Sequence, residues 1–144
     1  MSSRELELKM SLADRDSHRR FCSALPGFEG ELIQRNIYFD QKRLLASRDL
    51  LLRLRIEQSS AYLTLKAKNS MEQGVFDSQE YEKPIDQQLA LSIEQSAPAQ
   101  LSIESTVIDE ASSRSGQALD CLIEWGRIRN LRRCYRVSPG FLIE

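Results

Sequence analysis

The sequence predicts an α+β fold: an antiparallel sheet closing into a β-barrel with helices packed outside. Two observations carry this. Five segments alternate polar or charged with apolar residues at the period of two that marks a strand. Their charged positions are mostly long residues sorted by sign, two acids on one strand and two arginines on another, rather than a mixture of small polar groups. Helix-like stretches fall between groups of strands instead of after every strand, which argues against a parallel α/β sheet.

The elements follow in order. Glu5-Leu6-Glu7-Leu8-Lys9-Met10 alternates without a break and reads as the first strand. Ser11 or Asp14 can cap a helix running to about Leu25, where Pro26-Gly27 stops it, and Leu12, Phe21, Cys22 and Leu25 are its expected buried side. Strands are predicted over 32–40, 50–56, 61–68 and 79–84, with a turn at Ser59-Ser60, a loop from Met71 to Val75 carrying Gly74, and Pro84 ending the last of them. Asp86 can cap a helix through Leu89, Leu91 and Ile93. Residues 95–115 give no clear period, Gly116 to Trp125 reads as helical, and a final strand over 128–137 turns at Pro139-Gly140 into another beginning at Phe141. All 144 residues are read as a single domain, 1–144.

Composition removes several function classes. With 20 basic and 21 acidic residues the net charge is −1, so there is no global attraction to nucleic acid or to an anionic membrane. No stretch reaches the roughly 18 apolar residues that span a bilayer, and the N-terminus lacks an apolar signal segment. The expected location is the cytoplasm. Cys22, Cys121 and Cys134 are too widely spaced for a metal or disulfide framework and are expected to be buried or half-buried thiols. The single histidine, His18, lies in a polar stretch and is expected at the surface. Any metal must therefore be held by carboxylates, which points to Mg²⁺ or Mn²⁺.

The charged faces carry the functional reading. Glu5, Glu7 and Lys9 share one face, as do Arg53 with Arg55, Thr64 with Lys66 and Lys68, Glu80 with Glu82, and Asn130 with Arg132, Cys134 and Arg136. Long charged residues inside a barrel are costly unless something pairs them. Converging arginines and lysines suit a polyphosphate, whose oxygens accept forked hydrogen bonds from guanidinium groups. Glutamates beside them would repel that anion unless a divalent cation lies between.

The same residues resemble the CYTH superfamily of triphosphate tunnel metalloenzymes. Glu5-x-Glu7-x-Lys9 is similar to the family's first-strand hallmark, and Asn36-Ile37-Tyr38-Phe39-Asp40, Leu52-Arg53-Leu54-Arg55, Leu63-Thr64-Leu65-Lys66 and Gln79-Glu80-Tyr81-Glu82 resemble its later strands in order. Arg132 lies where the family places another phosphate-binding arginine. The resemblance implies that Glu5 and Glu7 hold the metal, that Lys9, Arg53, Arg55, Lys66 and Arg132 grip triphosphate oxygens, and that Glu80 and Glu82 act catalytically in positioning metal or water. It implies no such role for Lys68, Lys83, Arg133 and Arg136, expected at the solvated surface. It implies metal-dependent hydrolysis of inorganic triphosphate or a small organic triphosphate. A class IV adenylyl cyclase-like enzyme and a non-catalytic triphosphate- or polyphosphate-binding module are the alternatives. The few aromatic residues in the strands favour inorganic triphosphate over a nucleotide. Two departures stand out. Asn130 replaces a lysine of some relatives, and the chain lacks the family's last strands and helix, which a C-terminal segment or a second copy in a homo-oligomer would supply.

Overall fold

Antiparallel strands with one apolar and one charged side must bury the apolar side against other elements, and here three helices provide that cover. The computed structural model describes residues 2–72 and 75–144. Its elements are β1 (Ser2–Leu8), α1 (Arg15–Ala24), β2 (Phe28–Asp40), α2 (Leu44–Ser47), β3 (Leu50–Ile56), β4 (Ala61–Glu72), β5 (Val75–Ile85), α3 (Gln87–Glu94), β6 (Gln100–Leu101), α4 (Thr106–Ser115), β7 (Leu122–Ser138) and β8 (Phe141–Ile143). The strands form one antiparallel sheet in the order β1-β5-β4-β3-β2-β7-β6, with β8 also paired to β7.

The α+β class stands, and the barrel is incomplete, as expected of a chain without the family's last strands. β1 pairs with β5 alone, while β6 and β8 pair only with β7, so the two edges do not join among the described residues. Closure needs a ladder between the edge strands, and none links β1 to β7. The loop expected from Met71 to Val75 is shorter, because β4 runs to Glu72 and β5 starts at Val75; Gly74 itself lies outside the described residues.

The core lies on the apolar side of the central strands. Leu52, Leu54, Ile56, Leu63 and Leu65 are fully buried, together with Ile37 and Phe39 of β2. Leu45 of α2, Ala90 of α3, and Val107, Ile108 and Ala111 of α4 complete the cluster. Asp40 prepares this packing. Its carboxylate accepts from the backbone N–H of Gln41 and Leu45 at 2.7 and 2.9 Å and of Ala46 at 3.1 Å, tying the end of β2 to the first turn of α2. Asp86 caps α3 through the N–H of Leu89 at 2.9 Å. Arg35 then straps β2 to α3 through Glu94 at 2.6 Å.

Three expectations are corrected. The helix after β1 starts at the Asp14 cap as expected, but it buries nothing fully: Leu12 and Phe21 are exposed, and Cys22 and Leu25 are only half-buried. The apolar side of β1 is not packed outward against helices either, since Leu6, Leu8 and Met10 are 60–72% exposed. The third correction concerns 116–125. The helix lies earlier, ending where Gly116 takes a left-handed φ of 77° and donates to Ser112 O at 3.0 Å. Gln41 Oε1 then accepts from the N–H of Asp120 and Cys121, holding that stretch extended, and Leu122–Trp125 enters β7. A short apolar run fits either period. Tertiary hydrogen bonds chose the strand.

Gly27 shows how closely α1's exit approaches β7. Its φ is +74° and an added Cβ would lie 2.1 Å from Arg136 O, while Arg136 N donates to Gly27 O at 2.8 Å. Only glycine fits there. His18 is exposed as expected; Cys22 and Cys134 are half-buried, but Cys121 is exposed, carried outward on the stretch that Gln41 holds. Among the described residues, no helix is long and apolar enough to cross a membrane.

Candidate active site

Directly opposed residues of neighbouring strands point to the same side, with Cβ atoms about 5 Å apart. The registers therefore build rows across the face opposite the core. Tyr38 faces Arg53, Arg53 faces Thr64, and Thr64 faces Glu82. One step along the strands, Lys66 faces Glu80, and Glu80 faces Ser3. One step the other way, Asn36 faces Arg55 and Arg55 faces Tyr62. Glu5 and Glu7 follow Ser3 on the same side of β1, and Arg132 shares a side of β7 with Asn130, opposite Gln34. Eight of the nine residues singled out from sequence, Glu5, Glu7, Arg53, Arg55, Lys66, Glu80, Glu82 and Arg132, thus lie on one face. Lys9 stands apart, just past the end of β1, 5.1 Å from the Phe76 ring centroid and 3.8 Å from Glu7.

The face is ordered by charge: arginines on β3, threonine and lysine on β4, glutamates on β5 and β1. Lys66 Nζ donates to Glu5 at 2.7 Å and lies 3.5 Å from Glu80, while Arg53 reaches Glu80 at 3.9 Å. Thr64 Oγ1 donates to Glu82 at 2.7 Å, and Arg55 Nε donates to Asn36 Oδ1 at 3.2 Å. Arg132 pairs with Glu144. Although core and helices lie on the other side, Asn36, Arg53 and Thr64 are buried to within 6% of full enclosure, because long neighbouring side chains cover one another.

Two electrostatic features set this face apart. The first is a group of neighbouring arginines with unpaired donors beside them. Burial, then the like charges of Arg53 and Arg132, lower the pKa of Arg55 against the pull of Glu82 and Glu57. Two buried donors on the same face, Arg53 Nε and Asn36 Nδ2, have no hydrogen-bond partner. Unpaired buried donors are rare and costly, and three neighbouring guanidinium groups repel one another unless an anion lies among them.

The second is a pair of carboxyls, Glu5 and Glu80, meeting at the Lys66 ammonium. Burial, the largest influence, lifts Glu80 above its ordinary 4.5, with Lys66 opposing and Glu5 adding to the lift. For Glu5 burial also acts upward, but hydrogen bonds with Lys66 and Glu80 and the charges of Lys66 and Arg53 outweigh it and bring Glu5 below 4.5. Because Glu80's folded pKa is raised, its contribution to stability is full below pH 4.5 and is lost as pH rises through the folded value; Glu5's depressed pKa acts oppositely, below 4.5. Glu80→Gln should therefore flatten the decline in stability as pH rises above 4.5, measured by urea unfolding from pH 4.5 to 7. A mutant curve parallel to that of the parent protein would contradict the upward shift of Glu80.

Family resemblance implies a divalent metal, and the donor set can be tested against it. Among the described residues no group of three or more metal-ligating side chains comes together. Magnesium bound with a phosphate needs less: one or two carboxylates, with phosphate and water oxygens filling the octahedron. Glu5 and Glu80, both within 3.5 Å of Lys66 Nζ, are two carboxylates close enough to fit that requirement. Lys68 and Lys83 are exposed, and Arg133 and Arg136 form 2.7 Å pairs with Glu31 and Glu29 at the surface. A cavity of about 160 Å³ lined by Tyr81, Glu82, Lys83, Thr106, Val107 and Glu110 lies between β5 and α4.

Sequence reasoning gave no role to Asn36, Tyr38, Thr64 or Trp125. Asn36 and Tyr38 share the parity on β2 that faces Arg55 and Arg53, a signal available once the pairing of those strands is assumed. Trp125 reaches the face through an irregularity that no period reveals.

The fold is shared with solved structures. An adenylyl cyclase candidate from Hippeastrum, described as having a dominant triphosphatase activity, aligns with a TM-score of 0.74 at 23% identity over 98% of this chain and 69% of its own. An adenylate cyclase candidate from Bacillus halodurans aligns with a TM-score of 0.60 at 22% identity, covering 94% of this chain and 65% of its own. A protein from Pyrococcus horikoshii aligns at 0.57 and 17% identity, over 99% and 68%. The chain thus spans about two thirds of the length of each neighbour. No curated protein matches it in sequence. The CYTH domain family model matches residues 3–144, and with the charged strands in that family's order, the chain belongs to the CYTH domain family.

Proposed function

We propose that this protein binds a triphosphate on the charged face and, with Mg²⁺ or Mn²⁺, hydrolyses its terminal phosphoanhydride bond. The observation that carries the reading is the cluster of Arg53, Arg55 and Arg132, the first buried and the others half-buried, with two buried donors on the same face lacking partners among the described residues. Such a cluster suits an anion with several acceptor oxygens. The dominant triphosphatase activity named for the Hippeastrum neighbour supports it.

In this reading Arg53, Arg55, Lys66 and Arg132 hold the phosphate oxygens, and Lys9 meets them from the end of β1. Lys66 leaves Glu5 and Glu80 to do so, freeing those carboxylates. Glu5 and Glu7, with Glu80, would hold the cation, which lowers the charge on the phosphoryl oxygens and polarises the bond to be broken. Glu82, fixed by Thr64, orients a water whose oxygen forms the new bond to the terminal phosphorus while its proton passes by way of the Glu82 carboxylate to the departing oxygen. The bridging oxygen leaves with the electron pair, its charge met by the arginines. Most of the effect is positioning and electrostatics.

Phosphate release from inorganic triphosphate, ATP and thiamine triphosphate, each with Mg²⁺ and with Mn²⁺, tests the reading on this chain and on a C-terminally longer one. Metal-dependent release from at least one substrate is expected. Cyclic nucleotide in place of phosphate would identify a cyclase, and binding without turnover a non-catalytic module. Absence of binding to any of them would end the reading.

A further inference from the structure

We propose that Tyr38 and Trp125 form a ring-binding subsite beside the phosphate-gripping row, so that the triphosphate taken here is an organic one carrying a planar aromatic group. The inference rests on the triphosphate reading above and narrows its substrate class.

Tyr38 stands directly opposite Arg53, at the β2 end of the row Tyr38–Arg53–Thr64–Glu82. Its other neighbour is Gly126 on β7, where an added Cβ would meet only open space. Between Tyr38 and Phe39 the register slips, Tyr38 facing Gly126 and Phe39 facing Glu124, so Trp125 is the extra residue of a bulge. A bulge re-aims the side chain it carries. Here it brings the indole to within 5.4 Å of the Tyr38 ring, tilted by 39°, while Trp125 remains 62% exposed.

The bulge is held from both sides. Glu124 N donates to Ala99 O at 2.8 Å, and its carboxylate accepts from Ala99 N at 2.7 Å and from Arg127 Nε at 2.6 Å. Arg127 in turn donates to the carbonyls of Glu94 and Ser96. An exposed indole on pinned backbone is pre-organised to stack a ring at little entropic cost. Single exposed apolar residues are ordinary, but this one packs against the residue that begins the cationic row. Strands lie about 4.8 Å apart, so Lys66 on β4 is roughly 10 Å across the sheet from Tyr38. A ring on the aromatic pair and phosphates on the arginines and lysine would be bridged by a sugar or alkyl linker.

Trp125 is the only tryptophan in the chain, so its emission reports on this spot alone. The intact protein is titrated with ATP, thiamine triphosphate and inorganic triphosphate in Mg²⁺, following emission by stopped flow and affinity by calorimetry. The organic ligands should change the emission strongly and inorganic triphosphate little. The stronger of ATP and thiamine triphosphate identifies whether the ring is a nucleobase or another heterocycle. Trp125→Ala should weaken the organic ligand roughly ten- to a hundredfold, as stacking deletions do, leave inorganic triphosphate unchanged, and be largely rescued by Trp125→Phe. Equal losses for both ligand classes, or no loss for the organic one, would overturn the subsite while leaving the triphosphate reading intact. Failure of the unaltered chain to bind either class would overturn both.

Discussion

Arg53→Ala should lower affinity for triphosphate by roughly ten- to a hundredfold. Hydrogen bonds to charged groups contribute about 1.5–3 kcal/mol each, and about 1.4 kcal/mol is a factor of ten. Arg53 is the buried centre of its row, between Tyr38 on β2 and Thr64 on β4, and its Nε is without a partner. Truncation removes a planar fork in a place water reaches poorly, so solvent does not substitute for it. It also takes away a cation that faces Glu80 at 3.9 Å, which should make the carboxyl harder still to ionise. Arg53→Lys keeps the charge and loses the fork, and an intermediate loss is expected. Calorimetric titration with triphosphate and Mg²⁺, alongside circular dichroism to confirm folding, gives the answer. Wild-type affinity in a folded Arg53→Ala protein would show that the charged face does not hold the phosphates.

The second large effect is on stability. Leu54→Ala should cost about 2–5 kcal/mol, the range for emptying a leucine site in a packed core. Leu54 is fully buried on β3, opposite Ile37 on one side and Leu63 on the other, beneath the helices. Leu6→Ala provides the contrast: Leu6 alternates in the same way in the sequence but is 65% exposed, so its removal should stay within about 0.5 kcal/mol. Urea unfolding of both variants measures the difference. A cost for Leu54→Ala no larger than for Leu6→Ala would mean that the apolar side of the central strands is not the core.

These two leucines show where legibility ends. Alternation in Leu6-Glu7-Leu8 and in Leu52-Arg53-Leu54 is equally clear, and both segments are strands. Period two reports that a strand has two unlike sides, not what covers either. Cover depends on α2, α3 and α4, which pack on the central strands and leave β1 at an uncovered edge. The same limit explains 116–125. Its apolar run suits a helix or a strand, and the decision was made by a left-handed glycine and by Gln41, a residue about 80 positions away.

For the site, the residue list was legible and its connections were not. Charged side chains sorted by sign on separate strands already implied one charged face, because each strand's parity is local. Pairing Glu5 with Lys66 and Glu80, setting Tyr38 against Arg53, and bringing Trp125 over through a bulge all required the register between strands distant in sequence.

Local chemistry therefore determined, from sequence alone, the strands, their two-sided character and the family to which they point. Tertiary structure alone decided that the sheet stays open among the described residues, which apolar sides are buried, and which carboxyls meet at Lys66. The physical reason is range: alternation and capping act over a few residues, whereas register, closure and electrostatic coupling arise only when separate segments meet.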